Sequence, residues 1–316
     1  MQIALIGIGA GAAAALLFAS VASGSPLSLL LFYLAPLPIL IAALGWSHWS
    51  ALVAAVAAAA GLAVALGGYF FFAFLVGVGL PAWWLGYLAL LARPTPSGEL
   101  DWYPVGRIVL WAALLGTLVV IAAVPTLGLD EESFRASLRK GFERVIRTQG
   151  DVLPPRDPAT ADRVIDFLVS VLPPAAAVLS TVINLIDLWL AARIVRLSGR
   201  LPRPWPELAE MRLPPATAAM LAGGVLACFL PGLIGVVAGV FVATLLVIYA
   251  LAGLAVLHFI TRGLGSRGLV LGGTYTALII FGWPVLLMAL FGLIDAAIDL
   301  RARFAGRGGP PTRHTT

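Results

Sequence analysis

The first 92 residues of the chain contain no aspartate, glutamate, lysine or arginine, and the first acidic residue is Glu99. This absence excludes a soluble domain, in which about a quarter of the residues are charged. About 20 apolar residues cross the hydrocarbon core of a bilayer, so a segment of this length predicts four membrane-spanning helices. Turn-forming residues place these spans near 3–22, 27–45, 49–67 and 69–92.

Cysteine and histidine are also scarce. Cys228 is the single cysteine, so an intramolecular disulfide is excluded, and its apolar surroundings predict a small buried side chain. The histidines, His48, His258 and His314, have no second ligand at the spacing that metal sites require. We therefore expect no metal and no cofactor.

Motifs for nucleotide binding and catalysis are missing as well. Residues 7–12 imitate a GxGxxG/A dinucleotide loop, but the acid expected about 20 residues later falls in the apolar stretch 27–34. The chain has no GxxxxGK[ST] motif and no GxSxG motif. We expect no catalytic residues, and any ATP-driven activity would need a separate subunit.

The charge that is present lies mostly in loops. The 20 basic and 15 acidic residues give a net charge of +5, and only Lys140 is a lysine. Basic loops of a membrane protein stay in the cytoplasm, and no basic patch laced with aromatic residues predicts nucleic-acid binding. Abundant arginine, alanine, glycine and proline are typical of a GC-rich bacterial genome. These features predict a multi-pass protein of the bacterial inner membrane, surrounded by lipid.

The number of spans depends on the C-terminal region. Further spans are predicted near 107–125 and 173–195 and, as two helices, within 214–260. Residues 268–300 form either one long tilted helix or two short helices hinged at residues 282–284, which gives nine or ten spans. With ten spans, the arginine-rich loops and both termini are cytoplasmic, and the segment 126–163 lies outside.

The predicted fold is all-α: a polytopic transmembrane bundle of about nine or ten helices with one amphipathic extramembrane helix. That helix is expected at 130–147, where Phe134, Leu138 and Phe142 recur at helical spacing and Asp130 begins the first turn. The predicted domains are an N-terminal bundle 1–125 of about five spans, the extramembrane helix and loop 126–163, a C-terminal bundle 164–304 and a disordered cytoplasmic tail 305–316.

Polar residues inside the predicted spans are candidate binding residues, because intramembrane polar groups are costly and face the protein interior. The sixth span contains Thr181, Asn184 and Asp187, of which the last two lie three residues apart on one face. Substrate contact is one interpretation. In the other, Asn184 bonds a neighbouring helix and Asp187 pairs with a nearby arginine. Asp295 and Asp299, close to Arg301 and Arg303, are interpreted as salt-bridged interfacial anchors.

Small residues recur every fourth position in the first span, at Gly7, Gly11, Ala15 and Ala19. They lie on one helix face and allow close approach of another helix, for packing within the bundle or for docking of a partner.

Several short motifs resemble the YybS-like family of bacterial membrane proteins, a domain family of unknown function. They are the proline-marked stretch 34–38, Asn184 followed by Arg193, residues 253–258, residues 292–295 and residues 299–301. The resemblance would cover almost the whole chain. It implies a distant similarity to the substrate-binding subunits of energy-coupling-factor transporters, which dock on a separate transmembrane and ATPase module through faces like that of Gly7 and Gly11.

Two functions follow from these observations, and neither is enzymatic. In the first, the chain is transporter-like, and Asn184, Asp187 and Thr181 bind a small molecule, with energy from a partner ATPase module or an ion gradient. In the second, the chain is a non-transporting scaffold whose amphipathic segment docks cell-envelope or division proteins. A lipid-modifying enzyme is a third alternative, for which the sequence offers no recognisable nucleophile.

Overall fold

The computed structural model describes residues 1–148 and 158–305, and most of them are helical. Within these residues, seven helical segments are long and apolar enough to cross a bilayer, and three shorter helices are also apolar. The fold is therefore an all-α polytopic bundle, as predicted. The α-helices are α1 Gln2–Ala19, α2 Pro26–Tyr33, α3 Pro36–Gly45, α4 His48–Leu66, α5 Tyr69–Phe74, α6 Leu80–Ala89, α7 Val105–Leu127, α8 Glu131–Thr148, α9 Pro158–Leu197, α10 Ala216–Ala227, α11 Leu233–Ile260, α12 Arg267–Phe281, α13 Pro284–Ile298 and α14 Leu300–Ala305.

The outward sides of these helices are as apolar as their buried sides. Leu5 is 66% exposed, Val64 91% and Ile279 83%. Exposed apolar surface on this scale is unfavourable in water, whereas lipid tails are as apolar as leucine side chains. These side chains therefore face lipid in a membrane.

Contacts group the described residues into two units. The first comprises Met1–Tyr103, Trp111–Pro204 and Gly224–Thr244, and the second comprises Pro104–Leu110, Trp205–Gly223 and the described part of Leu245–Thr316. Each unit combines stretches that are distant in sequence, so the units cut across the segments 1–125, 126–163 and 164–304. Of the predicted tail, only Ala305 lies within the described residues, at the end of α14.

In the first unit, α1 packs closely against α4. A Cβ atom placed on Gly7 would lie 2.7 Å from the Val53 side chain, and one on Gly11 would lie 2.6 Å from the carbonyl oxygen of Ala54. Gly7, Gly11 and Ala14 are buried, whereas Ala15 and Ala19 are only partly buried. The glycine half of the small-residue face therefore serves contact within the chain.

Prolines interrupt the second and fourth spans. The second span divides into α2 and α3 just before Pro36, and the fourth contains a π-helical turn at Leu75–Gly79 followed by Pro81. Proline has no N–H to donate, so the carbonyl four residues earlier loses its helical partner. A wider π turn or a break in the helix accommodates that loss.

Three segments that connect helices of the first unit contact one another. The Arg200 guanidinium lies 4.6 Å from the ring centre of Trp46, in the α3–α4 turn. Arg203 donates hydrogen bonds of 2.9 Å to the carbonyl oxygens of Ala89 and Tyr103. A two-stranded hairpin, Ala92–Pro94 and Leu100–Trp102, separates those two carbonyls along the chain.

The amphipathic helix α8 rests on α9. Asp130 caps it by accepting a 2.8 Å bond from the Ser133 N–H, which confirms the predicted N-cap. This backbone bond and a second one from the Ser133 hydroxyl hold the pKa of Asp130 below its usual value. Phe134 is buried, and Arg139 pairs with Asp162 and, at 2.7 Å, with Asp166 at the start of α9.

In the second unit, the loop before α10 receives contacts from both ends of the last apolar stretch. Arg262, after α11, pairs with Glu207 at 2.7 Å. Arg301, after α13, donates a 2.9 Å bond to the carbonyl oxygen of Met211. The chain therefore runs out along α12 and back along α13, reversing at Gly282, whose φ is 69°. Residues 268–300 form two short helices and not one long helix.

Two further details differ from the sequence-based expectations. Cys228 is exposed at the end of α10, so its predicted burial is wrong; it faces away from the bundle, where an apolar side chain meets lipid. The sixth span is also longer than predicted, because α9 begins at Pro158 and continues through Pro173 and Pro174.

We predict that Gly11→Leu lowers the thermal unfolding temperature in detergent, because the new side chain overlaps α4. Overpacking of this kind costs about 1–3 kcal/mol. The matched control is Gly9→Leu on the same helix, since nothing lies within 4 Å of a Cβ atom at Gly9. Equal unfolding temperatures for the two variants would contradict the α1–α4 contact.

Candidate functional site

The three predicted site residues are buried on α9. Thr181 is fully buried, Asn184 is 3% exposed and Asp187 is 1% exposed. Neighbouring positions on the same helix, such as Ile186 and Trp189, are about half exposed (54% and 49%). The polar residues therefore share the inward face of a helix whose other face meets lipid.

A close contact between α7 and α9 holds the first of them. A Cβ atom on Gly116 would lie 2.3 Å from the Thr181 Oγ1 and 2.6 Å from the carbonyl oxygen of Ala177, so only glycine fits there. Thr181 donates to the Ala177 carbonyl at 2.8 Å and lies 3.5 Å from the Ala112 carbonyl of α7. The Thr181 hydroxyl is thus satisfied.

Asn184 and Asp187 are not fully satisfied. The Asn184 amide donates to the Ser180 carbonyl at 2.9 Å, one turn earlier on its own helix. Its Oδ1 atom and the Oδ2 atom of Asp187 are buried and have no hydrogen-bond partner among the described residues. The sequence also allowed a purely structural role, in which Asn184 bonds a neighbouring helix and Asp187 pairs with an arginine. Among the described residues, neither side chain makes such a contact.

Asp187 also lies inside the apolar part of its span. It precedes Arg193 by six residues, which corresponds to about 9 Å along the helix axis. A charged side chain at the centre of a membrane helix costs about 2.5–3.5 kcal/mol even on lenient insertion scales. A buried acid without a protein partner is therefore a functional candidate and not a packing residue.

Two polar residues that the sequence analysis did not select lie in the same unit. The hydroxyls of Thr117 on α7 and Thr244 on α11 are 2.9 Å apart and buried. Each hydroxyl is also within hydrogen-bond distance of a carbonyl oxygen of its own helix, Thr117 at 3.0 Å from Ala113 and Thr244 at 2.8 Å from Phe241. Because each hydroxyl has one hydrogen, one threonine donates to its carbonyl and the other donates to that threonine. Single threonines in apolar runs carry no periodic signal, so only the structure reveals this bond between helices.

A cavity lies next to the proline pair of α9. It has a volume of about 170 Å³ and lies between α8, α9 and α11, lined among others by Phe134, Ser170, Pro173 and Gly235. Pro173 and Pro174 have no N–H, so the carbonyl of Ser170 lacks both its 3₁₀ and its α-helical donor. The cavity is therefore located where the backbone of α9 has lost hydrogen bonds.

A second cavity of about 210 Å³ is lined by Ser47, His48, Tyr87 and the residues from Leu90 to Ala92. The rings of His48 and Tyr87 are 5.3 Å apart. Neither cavity is lined by Thr181, Asn184 or Asp187. Within residues 1–148 and 158–305, no three His, Cys, Asp or Glu side chains are grouped as metal ligands would be.

The acids at the end of the last span form ion pairs, which confirms their predicted salt bridges. Asp295 and Arg301 are 2.7 Å apart with both side chains buried. Asp299 pairs with Arg212 at 2.8 Å. In addition, Arg301 donates to the carbonyl oxygens of Ala209 and Met211.

Comparison with known proteins identifies a family. The model of a family described as "Predicted membrane protein (DUF2232)" matches residues 12–296. No curated protein and no solved structure matches the chain.

We predict that Arg301→Met strongly destabilises the protein, because it leaves Asp295 buried without its partner. Breaking a buried ion pair in this way costs about 3–5 kcal/mol. Arg303→Met, which alters an exposed arginine two residues away, should change the unfolding free energy by about 0.5 kcal/mol or less. Thermal unfolding in detergent checks the difference, and the double variant Asp295→Leu with Arg301→Met should recover most of the loss.

Proposed function

The chain belongs to the DUF2232 family of predicted membrane proteins, and we propose that it is a transporter-like protein of the bacterial inner membrane, a substrate-binding or permease subunit for a small molecule. One observation carries this proposal: the buried Asn184 Oδ1 and Asp187 Oδ2 atoms have no partner among the described residues. Buried polar groups in proteins are normally hydrogen-bonded, so these oxygens call for an occupant.

The two oxygens define the chemistry of that occupant. Both are acceptors while Asp187 is ionised, so they match a solute that presents N–H or O–H donors or a positive charge. Thr181 lies on the same face, and its hydroxyl oxygen retains acceptor capacity while the hydroxyl donates to Ala177. A ligand bound here would replace hydrogen bonds that the lipid environment cannot supply.

The proline pair Pro173 and Pro174 supports a transport role. Membrane helices with released carbonyls that line a cavity are a common feature of transporter binding sites. Here α9 stays helical through both prolines, and the released carbonyl of Ser170 adjoins a cavity of about 170 Å³ on the same helix as Asn184 and Asp187. Bending at this point would open the buried face of α9 to solvent.

The proposal also includes a more specific family and a source of energy. In it, the chain is one of the YybS-like proteins and is distantly similar to the substrate-binding subunits of energy-coupling-factor transporters. The chain itself would have no enzymatic activity, so a separate ATPase module or an ion gradient would drive uptake. With ten spans, both termini and the arginine-rich loops would be cytoplasmic, and α8 would lie outside.

A second candidate function rests on the exposed face of α8. Phe134 anchors the helix to the bundle, while Ala136, Lys140 and Arg144 face outward. A rigidly held, charged helix face is suited to protein docking. This supports the alternative in which the chain is a membrane scaffold for cell-envelope or division proteins.

We predict that the protein, purified in mild detergent from its source organism, retains a small molecule that mass spectrometry identifies. Asn184→Ala and Asp187→Asn should each reduce its occupancy at least tenfold without lowering expression, because each removes an unsatisfied acceptor. Trp189→Leu, on the lipid-facing side of α9, is the matched control and should retain wild-type occupancy. Equal occupancy in all four proteins would contradict a site at Asn184 and Asp187.

The scaffold alternative makes a different prediction. Replacing Ala136 and Lys140 together by glutamate reverses the charge of the exposed α8 face without touching Phe134 or Arg139. The variant should lose its co-purifying envelope proteins at an unchanged unfolding temperature, as measured by quantitative mass spectrometry. Unaltered co-purification would exclude this face as the docking surface.

A further inference from the structure

The unsatisfied atoms on α9 lack a hydrogen-bond donor. Asp187 is 1% exposed and Asn184 is 3% exposed, so water does not reach them in this conformation. The two atoms without a hydrogen-bond partner, Asp187 Oδ2 and Asn184 Oδ1, are both acceptors as long as the Asp187 carboxyl is ionised. Side chains three residues apart on a helix are neighbours, with Cβ atoms about 5–6 Å apart.

No described cation supplies the missing charge. Helix α3, which packs on α9, contains no ionisable side chain, α6 contributes only Tyr87, and residues 111–127 of α7 contribute none. Arg139 of α8 pairs with Asp162 and Asp166, which lie about 30–40 Å from Asp187 along the helix. On α9 itself, Arg193 and Arg196 are exposed, and no ion pair joins them to Asp187.

We propose that Asp187 binds a proton within the membrane-spanning region and that its O–H group donates a hydrogen bond to Asn184 Oδ1. One proton on Oδ2 removes the buried charge and satisfies both of these oxygens at once. Hard metal ions such as Ca²⁺ and Mg²⁺ take about six or more oxygen ligands, and these two atoms alone do not provide them. The geometry therefore favours a proton over a metal ion.

This inference rests on the proposed transport function, for which it names the driving ion. A hydronium ion in the water on one side of the membrane gives a proton to the Asp187 carboxylate: one of its O–H bonds breaks, water is left, and the carboxyl O–H bond forms. After α9 opens to the other side, the O–H bond breaks and the proton passes to water there. The carboxylate left behind is then free to accept a donor group of the solute, so proton release and solute binding would alternate on the same atoms.

The test is difference infrared spectroscopy of the purified protein in detergent at neutral pH. We expect a carbonyl stretch of a protonated carboxylic acid, shifted by exchange into D₂O, in the wild type. Asp187→Asn should lack the band. Asp299→Asn, which alters an exposed and ion-paired acid, should retain it. Asn184→Val removes the proposed acceptor and should shift the band to higher frequency.

Three results would overturn the proposal. A wild-type protein with no protonated-acid band at neutral or mildly acidic pH would show that Asp187 is ionised, and a band that persists in Asp187→Asn would belong to another acid. If sodium chloride abolishes the band while choline chloride does not, Asp187 binds a sodium ion and not a proton. The band reports the proton site by itself. The transport role is tested separately by the solute occupancy of Asn184→Ala and Asp187→Asn, so either proposal can fail while the other stands.

Discussion

Lipid offers no hydrogen-bond partner, so every buried polar group of this protein must find one within the chain or in an occupant. Many of the described groups do so. Thr181 donates to a carbonyl one turn earlier on its own helix, and Arg203 donates to the distant carbonyls of Ala89 and Tyr103. Because these groups are satisfied, they need no function beyond holding the fold. Six buried side-chain atoms among the described residues have no partner: Nε1 of Trp83 and of Trp84, the hydroxyls of Thr217 and Tyr249, and Asn184 Oδ1 and Asp187 Oδ2. The last two are informative because they lie on one face of α9 and one belongs to an acid.

The same lack of water removes the usual driving force for helix packing, because lipid is as apolar as leucine. Close approach of the helix backbones stabilises the packing instead. Gly7 and Gly11 bring α1 against α4, Gly116 brings α7 against α9, and Gly253 fits against the carbonyl of Met288. At each of these positions a Cβ atom would lie within 2.7 Å of a neighbour. The packing therefore depends on a few glycines more than on large apolar side chains.

The helices were predictable from the sequence because their determinants are local. Charge-free runs of sufficient length, turn residues such as Gly67 and the N-cap at Asp130 fix where helices begin and end. The candidate residues Asn184 and Asp187 were predictable for the same reason, as rare polar groups in an apolar span. What is long-range was not predictable: the bond between Thr117 and Thr244 and the contact of Arg301 with Met211 depend on tertiary structure. The exposure of Cys228 belongs to the same class. The hinge at residues 282–284 was one of two alternatives, and the contacts of α11 and α13 with one loop were needed to choose it.

Two buried acids illustrate how the structure separates a structural role from a functional one. Asp295 and Asp187 are similarly inaccessible, and each would be costly as an isolated charge. Asp295 is joined to Arg301 at 2.7 Å, and that arginine also binds two backbone carbonyls, so the group is complete without any ligand. Asp187 has no such partner and shares its helix face with a second unsatisfied oxygen. A carboxyl used only for stability would be expected to be paired like Asp295 or replaced by an apolar side chain, because either arrangement costs less than an unpartnered buried acid. The position of Asp187 is therefore consistent with the exchangeable occupant that we propose.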